Sequence, residues 1–399
     1  FRKEDDCILK PVITDNNACE PEMYCPLIPP GLYNGVEGIG DAYAVKIPLY
    51  NPNDLIYWIR VWLNNKFSDD KIAFNTLVPW YRGFRGEVEV KGNKIYTKGV
   101  MKIVKGIIHI TEIPIGVYLD EYEKTLKTMA GFTIEEKKVN GKVVKTVKKT
   151  RAKKADEDEP KKRKTPPKLI DGVPLRSGDD ENYTFIVTPR DEALTLKSLK
   201  LISSLTPNFT VAEPTGKVLS FKTVDDYLNK FCEIRLDAYE RRRDVLLNEY
   251  KQELLKLTEK HRFIQYFSQK PEIIAGKDDD EIMTTLENEK YIKIDESYKY
   301  LLDIDIRNFG KRLLEKLTSQ IKEFENKIEY LEKNNAGEIW YDELDELEDV
   351  LRTKPWYNDG GIKHRTKTTK KSKARKTKKS EEGAISEVDE ISEDGASDE

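Results

Sequence analysis

The chain has 399 residues, of which 35% are charged and 38% hydrophobic, with 69 Lys/Arg against 72 Asp/Glu. No run approaches the roughly 18 apolar residues a membrane span needs, and charge this dense excludes a single apolar globule, requiring long solvated helices or low-complexity segments. Four cysteines without regular pairing point to a reducing compartment. No signal peptide or initiator Met precedes Phe1, so the chain is expected to be a piece of something longer.

From Phe1 to about Tyr81 the pattern mixes turns and short apolar runs with one amphipathic helix. Asn53 is the expected N-cap, followed by Leu55, Ile56, Ile59, Trp62 and Leu63 at helical spacing. Between Gly86 and Pro114 the period changes to two. Glu87 to Val90 alternates, Lys91 to Lys94 reads as a turn, and Met101 to Ile103 and Ile108 to Ile110 alternate again. A helix is expected from about Tyr118 to Met129, and strands over Tyr183–Thr188 and Lys217–Phe221.

Asp225 to Ser268 then contains no Pro or Gly. Leu247, Tyr250, Leu254, Leu257, His261 and Ile264 form a heptad-like seam, and a second seam runs Leu314, Leu317, Ile321, Phe324, Ile328, Leu331. Similar in length, the two satisfy each other as antiparallel helices, with a small head between them and a last helix over Tyr341–Leu351. The head's Tyr298, Tyr300, Leu301, Leu302, Ile304 and Ile306 are candidates for a two-fold contact between copies. The alternative is that they fill the head's own core.

The net charge of −3 averages unlike parts. Residues 137–168 hold fourteen Lys/Arg and four acids, 363–379 hold ten Lys/Arg and no acid, and 380–399 hold nine acids and no base. The body is therefore acidic, and its basic material sits in two low-complexity segments expected to be solvated. They suggest an anionic partner or an import address.

Conventional catalytic patterns are missing from the sequence. His109, His261 and His364 have no neighbouring Ser, Cys and carboxylate arrangement, and Cys7, Cys19 and Cys25 lack metal-ligand spacing. There is no phosphate-binding glycine loop and no zinc-protease helix motif. Asp5-Asp6 and Asp278 to Asp280 read as solvated turns. The distinctive segment is glycine-dense, Gly31 to Gly40, in which Gly38 and Gly40 flank Ile39. Glycines allow close backbone approach, and an apolar residue held among them can act as a wedge between stacked bases or belong to an ordinary loop.

Several blocks carry a family resemblance. Glu20 to Pro29, Asn34 to Gly40 and Lys46 to Pro52, then Pro79-Trp80-Tyr81-Arg82-Gly83-Phe84-Arg85-Gly86, Ile110 to Pro114, Leu201 to Thr206, Arg235 to Arg242 and Tyr300 to Leu302 resemble the eukaryotic-type (type IIA) DNA topoisomerase II. The resemblance runs from Phe1 to about Leu351. It implies an α+β multidomain architecture. The end of the breakage–reunion region and a meander-containing tower domain occupy 1–220, with a basic insertion at 137–176. A coiled coil and exit gate occupy 221–355 with the head at about 270–306, and a disordered tail covers 356–399.

The resemblance also implies the chemistry. Such enzymes cut both strands of a duplex through paired tyrosyl phosphodiesters, pass a second duplex and reseal, driven by ATP. Ile39 is the implied intercalating and bending residue. The implied DNA contacts are Gly38, Gly40, Lys46 and the run Lys200, Leu201, Ile202, Ser203, Ser204, Leu205, Thr206, Pro207, Asn208 and Phe209, with Lys200, Ser203, Ser204 and Thr206 as phosphate donors. The implied partners are double-stranded DNA and a second copy joined through the exit gate, with no membrane. The implied location is the nucleus, or a viral replication site for a large DNA virus, and Pro160 to Lys164 resembles an import signal. The family's nucleophilic tyrosine follows an arginine, and none of the twenty tyrosines here does. That tyrosine, Mg2+ and ATP therefore belong to parts outside this sequence, so no catalytic and no metal residue is expected in it. Asp41 to Val45 departs from the family's small polar run. The competing reading is a non-enzymic DNA-binding subunit or a coiled-coil interaction protein.

Overall fold

The computed structural model describes residues 1–40, 42–139, 142–149, 169–190, 194–270, 278–294, 296–304 and 311–357. Two units divide the chain, 1–360 and 361–399, and every described residue lies in the first. His364 and the charged tail fall outside the described residues.

A short 3-10 helix, Lys3–Ile8, and a hairpin of β1 (Pro11–Thr14) and β2 (Asn17–Pro21) begin the fold, followed by α1 (Pro30–Asn34). A second hairpin pairs β3 (Val36–Gly40) with β4 (Tyr43–Ile47). Helix α2 (Pro52–Phe67) follows. Its cap is Asn51, not Asn53 as the sequence suggested: the Asn51 side chain accepts the Asn53 backbone N–H at 2.9 Å. Pro52 takes the first helical position, where its missing N–H is one the helix could not use.

The alternating region folds as expected, into β5 (Glu87–Lys91), β6 (Lys94–Lys98), β7 (Val100–Val104) and β8 (Ile107–Glu112), then α3 (Leu119–Met129). Next come β9 (Phe132–Val139), β10 (Lys142–Lys149), β11 (Ile170–Gly178), β12 (Tyr183–Pro189), β13 (Ile202–Leu205), β14 (Phe209–Ala212) and β15 (Val218–Phe221). One antiparallel sheet runs β11-β12-β8-β7 and another β13-β6-β5. Gly99 carries the chain between them. A Cβ there would lie 2.4 Å from the Glu112 carbonyl oxygen, so no larger residue fits the crossing. Helix α3 covers the four-stranded sheet, packing Tyr122 and Leu126 on Ile108, Ile110, Phe185 and Val187.

The basic insertion is more ordered at its edges than its composition indicated. Strands β9 and β10 pair in register from Phe132↔Lys149 to Val139↔Lys142, and the sequence between them, Asn140-Gly141, is the strongest short hairpin signal a sequence offers. The insertion's last residues belong to β11, which buries Ile170. Residues 150–168 lie outside the described residues.

Helix α4 (Val224–Gln269) begins at Thr223, whose hydroxyl accepts the Asp226 N–H at 3.1 Å. It is followed by α5 (Asp279–Asn288), α6 (Lys299–Leu302), α7 (Lys311–Lys333) and α8 (Ala336–Arg352). The two seams meet as antiparallel partners. Leu257 and Ile264 pack on Leu317, Tyr250 meets Phe324 at 5.6 Å, and His261 Nε2 lies 3.3 Å from Thr318 Oγ1. At the far end, Tyr298 and Leu301 are not free to make the two-fold contact for which they were candidates. They are 3% and 0% exposed and fill the head's own core with Phe263, Ile282, Leu286 and Tyr291. Tyr300 and Ile304 pack partly against the same core, Leu302 stays exposed, and Ile306 lies outside the described residues.

The last helix starts five residues earlier than Tyr341. Asn335 and Glu338 form a reciprocal capping box, at 2.9 and 3.0 Å. This brings the buried Trp340 into the main core, where α2, α4 and α8 converge and its indole N–H donates to the Leu27 carbonyl.

Candidate nucleic-acid interface

The glycine-dense segment is neither a loop nor a turn but an arm. Gly35 (φ +69°) turns the chain from α1 into β3, and a Cβ there would lie 2.7 Å from Leu49 Cδ1. The register of the hairpin is Val36↔Ile47, Glu37↔Lys46, Gly38↔Val45, Ile39↔Ala44 and Gly40↔Tyr43. Ile47 is buried in the main core, so the arm is rooted there. Its far end is not: Ile39 is 80% exposed, and a Cβ built on Gly38 or Gly40 meets nothing within 4 Å. Strand alternation puts Glu37, Ile39, Ala44 and Lys46 on one face and Gly38 and Gly40 on the other. Ile39 is the one large apolar side chain on its face of the arm, while the opposite face carries the exposed Tyr43 across from Gly40. Lys46 bonds to Glu37 across the strands, so its charge is partnered.

The second predicted segment is brought to the first. Lys200 (φ +53°), Ser204 and Thr206 are exposed along this segment, and Ser203 is half-buried. Strand β13 pairs with β6, Ile202 opposite Lys98 and Ser204 opposite Tyr96. Past Pro207 the chain reaches the arm. The Lys46 N–H donates to the Asn208 carbonyl at 3.0 Å, and the Asn208 N–H donates to the Lys46 carbonyl at 2.8 Å. The Asn208 side-chain amide donates to the Ala44 carbonyl at 2.7 Å and accepts from the Thr210 hydroxyl at 2.6 Å.

Three of the expected contact residues have other duties. Leu201 lies in the core beneath the four-stranded sheet, with its N–H and carbonyl bonded to Leu196 and Gly99. Phe209 lies in the main core, stacked on Tyr227. The donor and acceptor of the Asn208 side chain are engaged in holding β4 and Thr210. Their side chains shape the segment rather than face a ligand. What remains accessible is Lys200, Ser204 and Thr206, polar groups suited to gripping phosphates without reading bases, with the apolar Ile202 exposed between them. The role of Asn208 gave no signal in the sequence, because it depends on a pairing between residues 162 positions apart that no local pattern encodes.

The described residues offer little reactive chemistry. Burial pushes the phenols of Tyr50, Tyr122 and Tyr239 up, so they stay protonated. All four cysteines are free thiols. His109 is half-buried on β8 and His261 belongs to the helical seam. Among the described residues no group of three or more His, Cys, Asp and Glu could hold a metal ion, and no helix is long and apolar enough to cross a membrane.

Comparison with known proteins gives a consistent picture. The family model for the DNA gyrase/topoisomerase IV A-subunit matches residues 1–160 and 186–345. The DNA topoisomerase 2 of Acanthamoeba polyphaga mimivirus is 30% identical over 93% of this chain and 33% of its own length. The mitochondrial DNA topoisomerase 2 of Dictyostelium discoideum is 24% identical over 88% of this chain and 26% of its own length. In structure, the chain is similar to the Plasmodium falciparum topoisomerase II DNA-binding, cleavage and re-ligation domain, with a TM-score of 0.67, 26% identity, and coverage of 88% of this chain and 48% of that one. The chain thus spans about a quarter to a third of the length of these two curated relatives.

Proposed function

Because the chain belongs to the DNA gyrase/topoisomerase IV A-subunit family, we propose that it is part of an ATP-dependent type II DNA topoisomerase, contributing the surface that binds and bends the cut duplex and the gate through which the passed duplex leaves. One observation carries this reading: Ile39 stands exposed at the end of a glycine-flanked arm that is tied to the polar strip 200–208. An apolar wedge beside phosphate-gripping groups is what unstacking one base step requires, because the contacts supply affinity while the wedge supplies the bend. The acidic stem supports the exit role. Arg235 to Arg352 holds 29 acids against 21 bases, a surface that does not retain DNA.

In this reading the tyrosine whose phenolate attacks phosphorus and releases a deoxyribose oxygen is supplied from outside the chain, as are the sites for Mg2+ and ATP. The described residues do not fit the metal, since they hold no cluster of three metal-binding side chains, and no phosphate-binding glycine loop is present for the nucleotide. The partner is duplex DNA, and two copies join through the head between α4 and α7. The runs 160–164 and 363–379 support a nuclear address, or a viral replication site for a large DNA virus.

The test is Ile39→Ala in the full-length protein, with end-to-end energy transfer on a short labelled duplex. The bend is expected to relax while affinity changes by less than about threefold, since phosphate contacts dominate binding. An unchanged bend angle overturns the wedge.

A further inference from the structure

We infer that Asn208 is the positioning residue of the Ile39 wedge, aiming the arm rather than touching DNA. This rests on the wedge reading above and goes beyond it by assigning what holds the wedge in place. A two-stranded hairpin is marginally stable alone, and β3–β4 has lost side-chain packing at Gly38 and Gly40. Left to itself, such an arm would sample many directions, and DNA would have to order it on binding. Asn208 supplies the missing third edge. Its backbone makes both bonds of an antiparallel bridge with Lys46, and its side chain reaches Ala44, the residue directly opposite Ile39. The arm is thus fastened at two points on β4, one of them level with the wedge.

The fastening is anchored in turn. The Asn208 amide oxygen accepts from Thr210 on β14, which fixes the amide so that its N–H2 faces Ala44. Phe209, the next residue, is 3% exposed, pairs with Phe221 and stacks on Tyr227 in the first turn of α4 at 6.4 Å between ring centres. The line Ile39, Ala44, Asn208, Phe209, Tyr227 therefore runs from the tip of the arm to the root of the long helix. Pre-ordering of this kind reduces what binding must spend on arranging the wedge, so its loss falls on the bend rather than on phosphate contact.

The experiment compares Asn208→Ala, Ile39→Ala and the double variant in the full-length protein. Three quantities are read on one duplex carrying end labels and a fluorescent base analogue: bend by energy transfer, unstacking by analogue emission, and affinity across a salt series. Asn208→Ala is expected to lose both bend and unstacking, with affinity changed by less than about twofold and the salt slope unaltered. In the double variant the two effects should not add, because both act through one wedge; independent sites would add to within about twofold. Asn208→Asp, isosteric and still able to accept from Thr210, keeps the fold yet loses the donor to Ala44, and should match Asn208→Ala. Full bending by both Asn208 variants overturns the inference, as does an affinity loss that adds to that of Ile39→Ala, which is the behaviour of a direct DNA contact. If Ile39→Ala itself bends normally, the wedge reading fails first and separately.

Discussion

Asp5 and Arg235, 230 residues apart in sequence, meet through two parallel hydrogen bonds of 3.1 and 2.8 Å in the interior. Arg242 joins the same carboxylate at 3.0 Å and reaches Glu343 at 2.6 Å, and the Tyr239 hydroxyl donates to Glu343. Both guanidinium groups lie over the Tyr239 ring, at 4.1 and 4.4 Å. The cluster fastens the segment Lys3–Ile8 to the roots of α4 and α8. Asp5, read from the sequence as part of a solvated turn, is in fact 2% exposed.

Removing that carboxylate leaves the buried Arg235 without an ion-pair partner and Arg242 with Glu343 alone. Asp5→Ala is expected to destabilise the chain by about 3–5 kcal/mol, the range for breaking a buried pair from one side. Urea unfolding monitored by tryptophan fluorescence measures it. Arg2→Ala, at the wetter rim of the same cluster, should cost about 1 kcal/mol or less. Equal losses at the two positions would show that Asp5 contributes no more than a surface pair.

What the sequence made legible follows from the range of each interaction. Period-two and heptad patterns are local, so β5 to β8, α3 and both seams were readable from spacing alone. Helix starts were misread where two capping candidates sat together, as with Asn51 and Asn53, or where the apolar face began inside the first turn, as with Ala336 to Trp340. The exposure of Ile39 was readable because glycines flank it. Its setting was not: the Lys46–Asn208 bridge and the Asp5–Arg235 pair close over long separations, and neither leaves a periodic trace. Tyr298 and Leu301 were apolar enough for an interface or a core, and only the packing of Phe263 and Leu286 against them decides.

The four thiols should separate by reactivity. Burial raises the thiols of Cys25 and Cys232, with Arg235 and Arg241 partly offsetting it at Cys25. Cys7 is raised as well but remains exposed, as does Cys19. Iodoacetamide at neutral pH is expected to label Cys7 and Cys19 in the folded chain and the other two only after unfolding, as mass spectrometry would show. The sign of the linkage is fixed by these shifts. The buried thiols have folded values above the unfolded one of about 8.5, so the unfolded chain loses its thiol protons first. Their folded-state contribution is fully present below that value and is lost as pH rises past it. Rapid labelling of all four in the native state would contradict the burial.

Glu37 should restrain the DNA affinity of the arm. It bonds to Lys46 on the face that carries Ile39, and both side chains are solvent-accessible. Glu37→Gln leaves the lysine charge uncompensated beside the duplex. Binding at low salt should tighten, and the plot of log affinity against log salt should steepen by about 0.9, one additional phosphate contact. Lys46→Gln should not steepen it. Fluorescence anisotropy over a salt series reads both slopes, and an unchanged slope in Glu37→Gln would mean that the phosphate never competes for Lys46.

Dimerisation through the head can occur only where the structure leaves apolar surface uncovered. Leu257, Ile264 and Leu317 are consumed by the α4–α7 seam, and Tyr298 and Leu301 by the core of the head. Helix α5 turns Ile282 and Leu286 inward, which leaves Met283 exposed on its outer side, with Ile292 and Leu302 also exposed on the head. These side chains are the apolar groups of the described head that a second copy can still cover, and a two-fold axis would set the same patch against itself. Light scattering of the chain at micromolar concentration is expected to give twice the chain mass. Met283→Glu with Leu302→Glu should return it to the monomer mass with the helical circular dichroism intact, because neither side chain supports the core. Leu301→Glu, by contrast, should unfold the head. A chain that stays monomeric at high concentration, or a dimer indifferent to both surface charges, would remove this face of the head as the gate.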